Sequence, residues 1–342
     1  MENIKKILND SIVIDSHFDL LYEVVKKRQR GSRKVIVSDY LSEFIEGGVN
    51  VVVSSLFIDD EFLPEMALRK ALNQVSALYD EISESPDKIM LCRNYKDILE
   101  AKKTCKVGIM LSFEGVEPIY NDITLLRIFY ELGVRIIGLT WSRRNYAGDG
   151  CGFGNGDEGT KGGITDFGMK LIKEAEKLGM IIDVSHLNDE GFWDVIKIAK
   201  KPIIASHSNS RALAGIMRNL TDDQIRAIAS KGGVIGINSA SILVAADDEV
   251  ANMEYLANHV DYIVQLVGVE HVGFGFDFCD HLIEFYSFNQ LDGLSRKPFD
   301  VIKGYKEINK FVAELIRRGY KQKELELILG GNFLRVYKKV LT

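Results

Sequence analysis

The chain of 342 residues lacks the features of a membrane-spanning, disulfide-bonded or nucleic-acid-binding protein. No run of about 18 apolar residues occurs, so we expect no transmembrane helix and no membrane partner. The four cysteines form no CxxC pair, and the N-terminal stretch has no sustained apolar segment of the kind found in secretory signals. Reduced thiols and a cytoplasmic location are therefore expected. A formal charge of −6 argues against a nucleic-acid partner, because such proteins present basic faces.

A repeated pattern of amphipathic helix, glycine and short apolar run extends along the chain. EFIEGG precedes VNVVVSSLFI, YELG precedes VRIIGLTW, and EAEKLG precedes MIIDVSH. Glycine can adopt the left-handed conformation that ends a helix, and nearly continuous apolar runs are typical of a parallel sheet covered by helices. The runs are 12–19, 49–58, 107–115, 134–141, 180–186, 202–208, 234–240 and 271–278. Eight strands alternating with helices predict an α/β fold, a (β/α)8 TIM barrel.

The barrel is expected to form a single domain over residues 1–342, because no linker, low-complexity tract or charge block divides the chain. Two extra C-terminal helices after about residue 299 are expected to close its outer layer. In a TIM barrel the active site lies at the C-terminal ends of the strands. The residues at those ends therefore decide what chemistry the chain can perform.

Ionisable side chains occupy the C-terminal ends of five predicted strands. They are His17 and Asp19 on the first strand, Glu114 on the third, His186 on the fifth, His207 on the sixth and Asp277 on the eighth. Buried ionisable groups are costly unless they are paired or bound to a metal ion. A lone histidine at a strand end is more often structural, but imidazole and carboxylate groups gathered together suit zinc.

The positions of these residues divide the ligands between two zinc ions. His17 and Asp19 are two residues apart on a strand, so they share a face and can hold one ion. His186 and His207, on adjacent strands, can hold the other. Glu114 has two carboxylate oxygens and can bridge both ions, and the fourth strand has no lysine that would provide a carbamylated bridge instead. Two such ions would hold a bridging hydroxide and polarise a carbonyl group.

Other residues near the strand ends have roles that follow from their positions. Asp277 remains as the catalytic acid and base, which takes a proton from the attacking water and gives it to the leaving amine. Asp183 precedes His186 and can orient a metal ligand from behind. Cys279 is either a reduced thiol beside the centre or a further zinc ligand. His259 lies in a helical pattern and is expected on the helix surface.

The motifs that carry these residues resemble the membrane (renal) dipeptidase family, which belongs to the amidohydrolase-like metal-dependent hydrolases. The matching segments are IDSHFD, LSFEG, GVRIIGLTW, GITDFGMKLIKEAEKLGMIIDVSH, IIASHS, GGVIGIN, VGFGFDF and ILGGNFLRV. They span residues 12 to 338, and DVSH followed by ASHS is the most specific pair. The resemblance implies a two-zinc dipeptidase with the same ligands and acid/base, a small dipeptide substrate and a homodimer.

The resemblance also implies residues that bind the substrate. The family uses an arginine after the sixth strand to hold the substrate's C-terminal carboxylate, and Arg218 stands in that place, followed by Asn219. Its guanidinium would bind the carboxylate bidentately. Animal members have a histidine on the fourth strand where this chain has Trp141. Either Asn145 substitutes for that histidine, or Trp141 forms a wall of the cavity. The glycine-rich loop 148–163 is expected to be a lid or a connector.

These features together predict hydrolysis of dipeptides with a free C-terminal carboxylate, and relatives accept a D-residue at that position. The altered motifs around Trp141 and in FDFCD leave open a related two-metal barrel hydrolase that acts on another amide, a lactone or an ester. A barrel that only binds a ligand is disfavoured, because every metal ligand and Asp277 are present.

Overall fold

Parallel strands form the sheet of the computed structural model, which describes residues 2–153, 162–282, 294 and 296–341. In this part of the chain the strands are β1 (Val13–Phe18), β2 (Val49–Leu56), β3 (Ile89–Leu91), β4 (Val107–Glu114), β5 (Val134–Gly138), β6 (Ile181–Asp183), β7 (Ile204–Ala205), β8 (Val234–Ile237) and β9 (Val272–Phe274). Direct pairing of β2 with β4 closes the ring, so that β3 pairs only with β4 and stays outside it. The predicted TIM barrel is thereby confirmed.

Helices lie between the barrel strands, as the repeated pattern predicts. In the described residues they are α1 (Glu2–Asp10), α2 (Leu20–Gln29), α3 (Leu41–Glu46), α4 (Ala67–Glu84), α5 (Tyr95–Lys103), α6 (Thr124–Glu131), α7 (Asp166–Leu178), α8 (Asp189–Ile198), α9 (Asp222–Ser230), α10 (Ser241–Val244), α11 (Met253–Val267), α12 (Ile308–Arg317), α13 (Gln322–Glu326) and α14 (Asn332–Val340). The EAEKLG motif ends α7 at Gly179, whose φ of 80° is left-handed. No helix in the described ranges has both the length and the apolarity needed to cross a bilayer.

The eight predicted strands correspond to β1, β2 and β4 to β9, and each ends before its predicted run does. Four of the predicted ionisable site residues, Asp19, His186, His207 and Asp277, lie just beyond the paired segments. The sequence does not predict β3, because three residues are too few to show a periodic pattern. This strand lies outside the ring and does not affect the placement of the site.

The apolar core has two main parts, and the C-terminal helices contribute to both. Helix α12 packs in the outer cluster between the sheet and the helices, as expected. The expectation is wrong for α14, whose Phe333 and Tyr337 belong to the inner cluster. They pack there with Ile14, Val51 and Ile181, which lie near the starts of their strands. Helix α14 therefore covers the end of the barrel opposite the predicted site, because its apolar side packs against the barrel interior.

Candidate metal centre

The predicted ionisable residues meet at the C-terminal end of the barrel. They are His17 at the end of β1, Asp19 directly after it, Glu114 at the end of β4, and His186, His207 and Asp277 after β6, β7 and β9. Five of them are buried, and Asp277 is partly buried, with 24% of its side chain exposed. Charged groups so deeply buried are destabilising unless something compensates their charge.

Glu114 lies between the imidazoles of this group. Its Oε2 is 3.5 Å from Nε2 of His17, while its Oε1 is 3.0 Å from Nε2 of His186 and 3.7 Å from Nε2 of His207. The two latter nitrogens are 2.9 Å apart. Each oxygen of one carboxylate thus faces a different side of the centre, which is the arrangement needed to bridge two ions.

Two further carboxylates flank His17. Its Nε2 is 3.9 Å from Oδ1 of Asp19 and 3.7 Å from Oδ1 of Asp277. The hydroxyl of Ser55 donates a hydrogen bond to Asp19, and the amide of Asn238 donates to Oδ2 of Asp277 at 2.8 Å. These bonds fix both carboxylates, and Oδ1 of Asp277 remains directed at the centre.

Burial is the main cause of the perturbed pKa values at the centre. It raises the pKa values of Asp19, Glu114 and Asp277 to about 7. Repulsion by Glu114 adds to the rise in the pKa of Asp19. Burial also lowers the pKa values of His186 and His207 well below their usual range. The imidazoles are therefore neutral, which is the form that binds metal ions.

Two buried atoms indicate that a metal ion fits this arrangement. Nε2 of His17 and Oε2 of Glu114 have no hydrogen-bond partner among the described residues. An imidazole nitrogen and a carboxylate oxygen are both zinc ligands, and a cation would satisfy both atoms and offset the carboxylate charge. Two groups of ligand atoms at this centre are close enough to share an ion: His17 with Glu114 and His207, and His17 with Asp19 and Asp277. Within each group all ligand atoms lie within 4.8 Å of one another.

Two site residues have left-handed backbone conformations, which non-glycine residues rarely adopt. The φ angles are 68° at His186 and 52° at Asp277. Backbone hydrogen bonds hold them there: Cys151 N donates to His186 O at 2.7 Å, and Asp277 N donates to His17 O at 3.3 Å. Such conformations cluster at functional sites, where the surrounding structure enforces them.

A cavity of about 270 Å³ adjoins the centre. Apart from charged residues, it is lined mainly by apolar side chains, which include Phe57, Trp141, Phe153, Ile242, Leu243, Leu282, Leu294 and Pro298. The Trp141 ring packs 5.2 Å from the Phe57 ring and 5.9 Å from the Phe153 ring, centre to centre. Trp141 thus forms part of the cavity wall, which is one of the two arrangements left open by the sequence.

Arg218 lines the same cavity and is held against the metal-ligand segments. Its Nε donates to Nδ1 of His186 at 3.1 Å, its Nη1 to Oγ of Ser208 at 2.9 Å, and its Nη2 to the carbonyl of His207 at 2.9 Å. A guanidinium has five N–H groups, so two are left without a partner among the described residues. Nδ1 of His186 is also 2.9 Å from the hydroxyl of Ser142, which gives it a partner in either tautomer.

Asn145 is not brought to the cavity. Its Nδ2 donates to the carbonyl of Leu139 at 2.8 Å, and its Oδ1 accepts from the backbone N–H groups of Ala147 and Gly148 at 2.8 and 3.3 Å. Its amide therefore stabilises the loop after β5 rather than facing a substrate. Residues 154–161 of the glycine-rich segment 148–163, which is predicted to be a lid or a connector, lie outside the described residues.

Cys279 and His259 have structural partners. The Cys279 thiol lines the cavity and donates to Oδ1 of Asp300 at 3.3 Å. The expectation that His259 is exposed is wrong, because α11 packs against the loop after β7 and buries it. Its Nδ1 accepts from Ser210 N at 3.1 Å, and its Nε2 donates to the carbonyl of Val244 at 2.7 Å. Helical periodicity does not show that such a loop needs a hydrogen-bond partner.

The sequence motifs do not point to the polar residues that hold the site side chains in place. These are Ser55 beside Asp19, Asn238 beside Asp277 and Ser142 beside His186. Each lies at or beyond the end of a barrel strand, respectively β2, β8 and β5. That position is the only signal in the sequence that could have revealed them.

One family model, described as membrane dipeptidase (peptidase family M19), matches residues 1–342. The chain belongs to the membrane dipeptidase family. It is accordingly a metal-dependent dipeptidase, a hydrolase that acts on peptide bonds. Among relatives, a Klebsiella pneumoniae protein described as an uncharacterized protein in the pqqA 5′ region is 34% identical over 271 residues, which make up 78% of this chain and 94% of that protein.

Solved structures share the fold of this chain. The dipeptidase AC of family M19 aligns with a TM-score of 0.84 and 26% identity, covering 97% of this chain and 99% of that one. A metallopeptidase from Rhodobacter sphaeroides, solved with a phosphinate mimic of the dipeptide L-Ala-D-Ala, aligns with a TM-score of 0.84 and 24% identity. That alignment covers 96% of this chain and 99% of the other.

Proposed function

We propose that the protein is a two-zinc dipeptidase that hydrolyses dipeptides with a free C-terminal carboxylate and accepts a D-residue at the C-terminal position. The observation that carries the proposal is the position of Glu114, whose two oxygens face His17 on one side and His186 and His207 on the other. Arg218 lines the cavity that adjoins this centre. The dipeptide mimic bound by the Rhodobacter sphaeroides protein supports the D-residue assignment.

The zinc ligands follow from the same geometry. His17 and Asp19 would hold one ion, His186 and His207 the other, and Glu114 both. When bound, zinc polarises a carbonyl group and lowers the pKa of water.

Asp277 transfers the protons of the reaction. Asn238 anchors its Oδ2, while Oδ1 is directed at the centre, 3.7 Å from Nε2 of His17. Oδ1 accepts a proton from the attacking water and delivers it to the leaving amine. The fixed position of Oδ1 matters because a general base must lie within hydrogen-bond reach of the proton it moves.

Arg218 and the apolar wall bind the substrate. The two N–H groups of Arg218 that are left over would form a bidentate pair with the C-terminal carboxylate. The rings of Trp141 and Phe57 pack against each other and exclude water from one side of the cavity. A volume of about 270 Å³ suits a small molecule such as a dipeptide.

A substrate panel tests the proposal. The panel contains L-Ala-L-Ala, L-Ala-D-Ala, the C-terminal amide of each, and a simple lactone, and each compound is assayed with metal-stripped and zinc-reloaded protein. We expect zinc-dependent cleavage of both dipeptides and much slower cleavage of the amides. Zinc-loaded protein that opens the lactone and leaves every dipeptide intact would contradict the proposal and favour the related hydrolase.

A further inference from the structure

A buried chain of hydrogen bonds stands behind His207, on the side of the ring that faces away from the metal centre. We propose that Asp183, acting through the hydroxyl of Ser206, positions His207 and fixes the tautomer that binds metal. The proposal rests on the metal centre proposed above. Asp183 and Ser206 would be positioning residues, since neither is among the described residues that line the substrate cavity.

The hydrogen bonds that connect Asp183, Ser206 and His207 are buried. The Ser206 hydroxyl contacts Oδ2 of Asp183 and lies 2.6 Å from Nδ1 of His207. Oδ1 of Asp183 accepts from the backbone N–H groups of Ser206 at 2.9 Å and Ser185 at 3.0 Å. Asp183 is 4% exposed, and Ser206 and His207 are each 1% exposed. The carboxylate thus joins the end of β6 to the segment after β7 and cannot turn toward solvent.

The direction of each hydrogen bond follows from the groups involved. An ionised carboxylate only accepts, so the single proton of the Ser206 hydroxyl points to Asp183. The hydroxyl oxygen must then accept from Nδ1–H of His207. With its proton on Nδ1, the neutral ring presents the lone pair of Nε2 to Glu114 and the metal centre, 3.7 Å from Oε1. A carboxylate behind a histidine ligand commonly fixes its tautomer in this way, and here a serine hydroxyl is inserted between them.

The other imidazole of this pair, His186, has no carboxylate connected to its Nδ1 in this way. Its Nδ1 is contacted by the neutral hydroxyl of Ser142 and by the cationic guanidinium of Arg218. A guanidinium only donates, so it favours the tautomer with a free lone pair on Nδ1. The surroundings of His207 therefore favour metal binding at Nε2 even before a metal ion is present, and those of His186 do not.

Two variants test the proposal through zinc affinity, measured by competition with a chromophoric chelator. In D183N the amide nitrogen can donate to the Ser206 hydroxyl, which then donates to His207 and moves the ring proton to Nε2. In S206A the hydroxyl that connects Asp183 to Nδ1 of His207 is removed. We expect both variants to bind one zinc ion about 10- to 100-fold more weakly than the unchanged protein. The visible spectrum of the cobalt-substituted variants should change as well, which a purely structural role would not cause.

Ser16 offers a matched control. Its buried hydroxyl also donates across the barrel, to the carbonyls of Ser206 at 2.5 Å and Phe274 at 2.8 Å, and it has no imidazole partner among the described residues. S16A should lower the melting temperature without changing zinc affinity. If D183N does not fold, S206A against S16A still decides the question. Zinc affinity unchanged in S206A would overturn the proposal, and absence of zinc binding by the unchanged protein would contradict the metal centre itself and this proposal with it.

Discussion

Replacement of Arg218 by methionine should abolish the preference for a free carboxylate. The two N–H groups of Arg218 that are left over can each form a charge-assisted hydrogen bond with the substrate, worth about 1.5–3 kcal/mol apiece. Their loss amounts to about 3–6 kcal/mol, which corresponds to a fall of about 10²- to 10⁴-fold in kcat/KM. A lysine at this position keeps the charge but cannot form the bidentate pair. The kcat/KM of R218K should therefore lie between those of R218M and the unchanged protein.

The assay compares a dipeptide with its own C-terminal amide in each protein. Arg218 also donates to His186 and to the backbone of His207, so its removal can disturb the metal centre. Such a disturbance affects both substrates equally and cancels in the ratio of their kcat/KM values. Zinc content measured on the same samples provides a second control.

The ratio decides whether the reasoning holds. We expect R218M to lose most of its activity on the dipeptide and little of its activity on the amide. A ratio that stays at the value of the unchanged protein, in zinc-loaded R218M, would show that the carboxylate is bound elsewhere in the cavity.

Three further outcomes follow from the geometry of the barrel end. D277N should lower kcat by about 10²- to 10⁴-fold, because the general acid and base is lost. Metal analysis should show that both zinc ions stay bound. A loss of zinc in D277N would instead show that Asp277 is a zinc ligand. Melting curves of metal-free protein should show falling stability as the pH rises through about 7; at lower pH the unfolded chain protonates His186 and His207, whose folded-state pKa values are lowered, and this opposes the trend. The folded-state pKa values of Asp19 and Glu114 lie above their usual values, so the folded state favours the protonated forms, and zinc should remove this trend. G275A should melt far below G215A, because a Cβ at Gly275 would lie 1.8 Å from a backbone carbonyl, whereas one at Gly215 meets nothing within 4 Å.

The barrel could be predicted from sequence because its signals are local and repeated. Four of the eight apolar runs directly follow a helical motif that ends in glycine, and the EAEKLG motif ends α7 as expected. The role of α14 could not be predicted in the same way. Its apolar stripe shows only that it packs against something, and the barrel interior and the outer layer are equally apolar.

The convergence of the ionisable residues also followed from strand position, since the ends of parallel strands in a closed barrel meet. Asn145 is different because its partners are backbone groups of its own loop, and the loop conformation decides whether its amide faces the cavity. The burial of His259 depends on how α11 packs against a distant loop. Neither feature leaves a pattern in the order of the residues.

The most direct test of a two-zinc dipeptidase is a zinc titration of the metal-free protein, with hydrolysis of L-Ala-D-Ala measured at each step. The proposed centre predicts no hydrolysis without metal and a maximal rate at two zinc ions per chain. Full activity in the metal-free protein, or no activity once two zinc ions are bound, would contradict it.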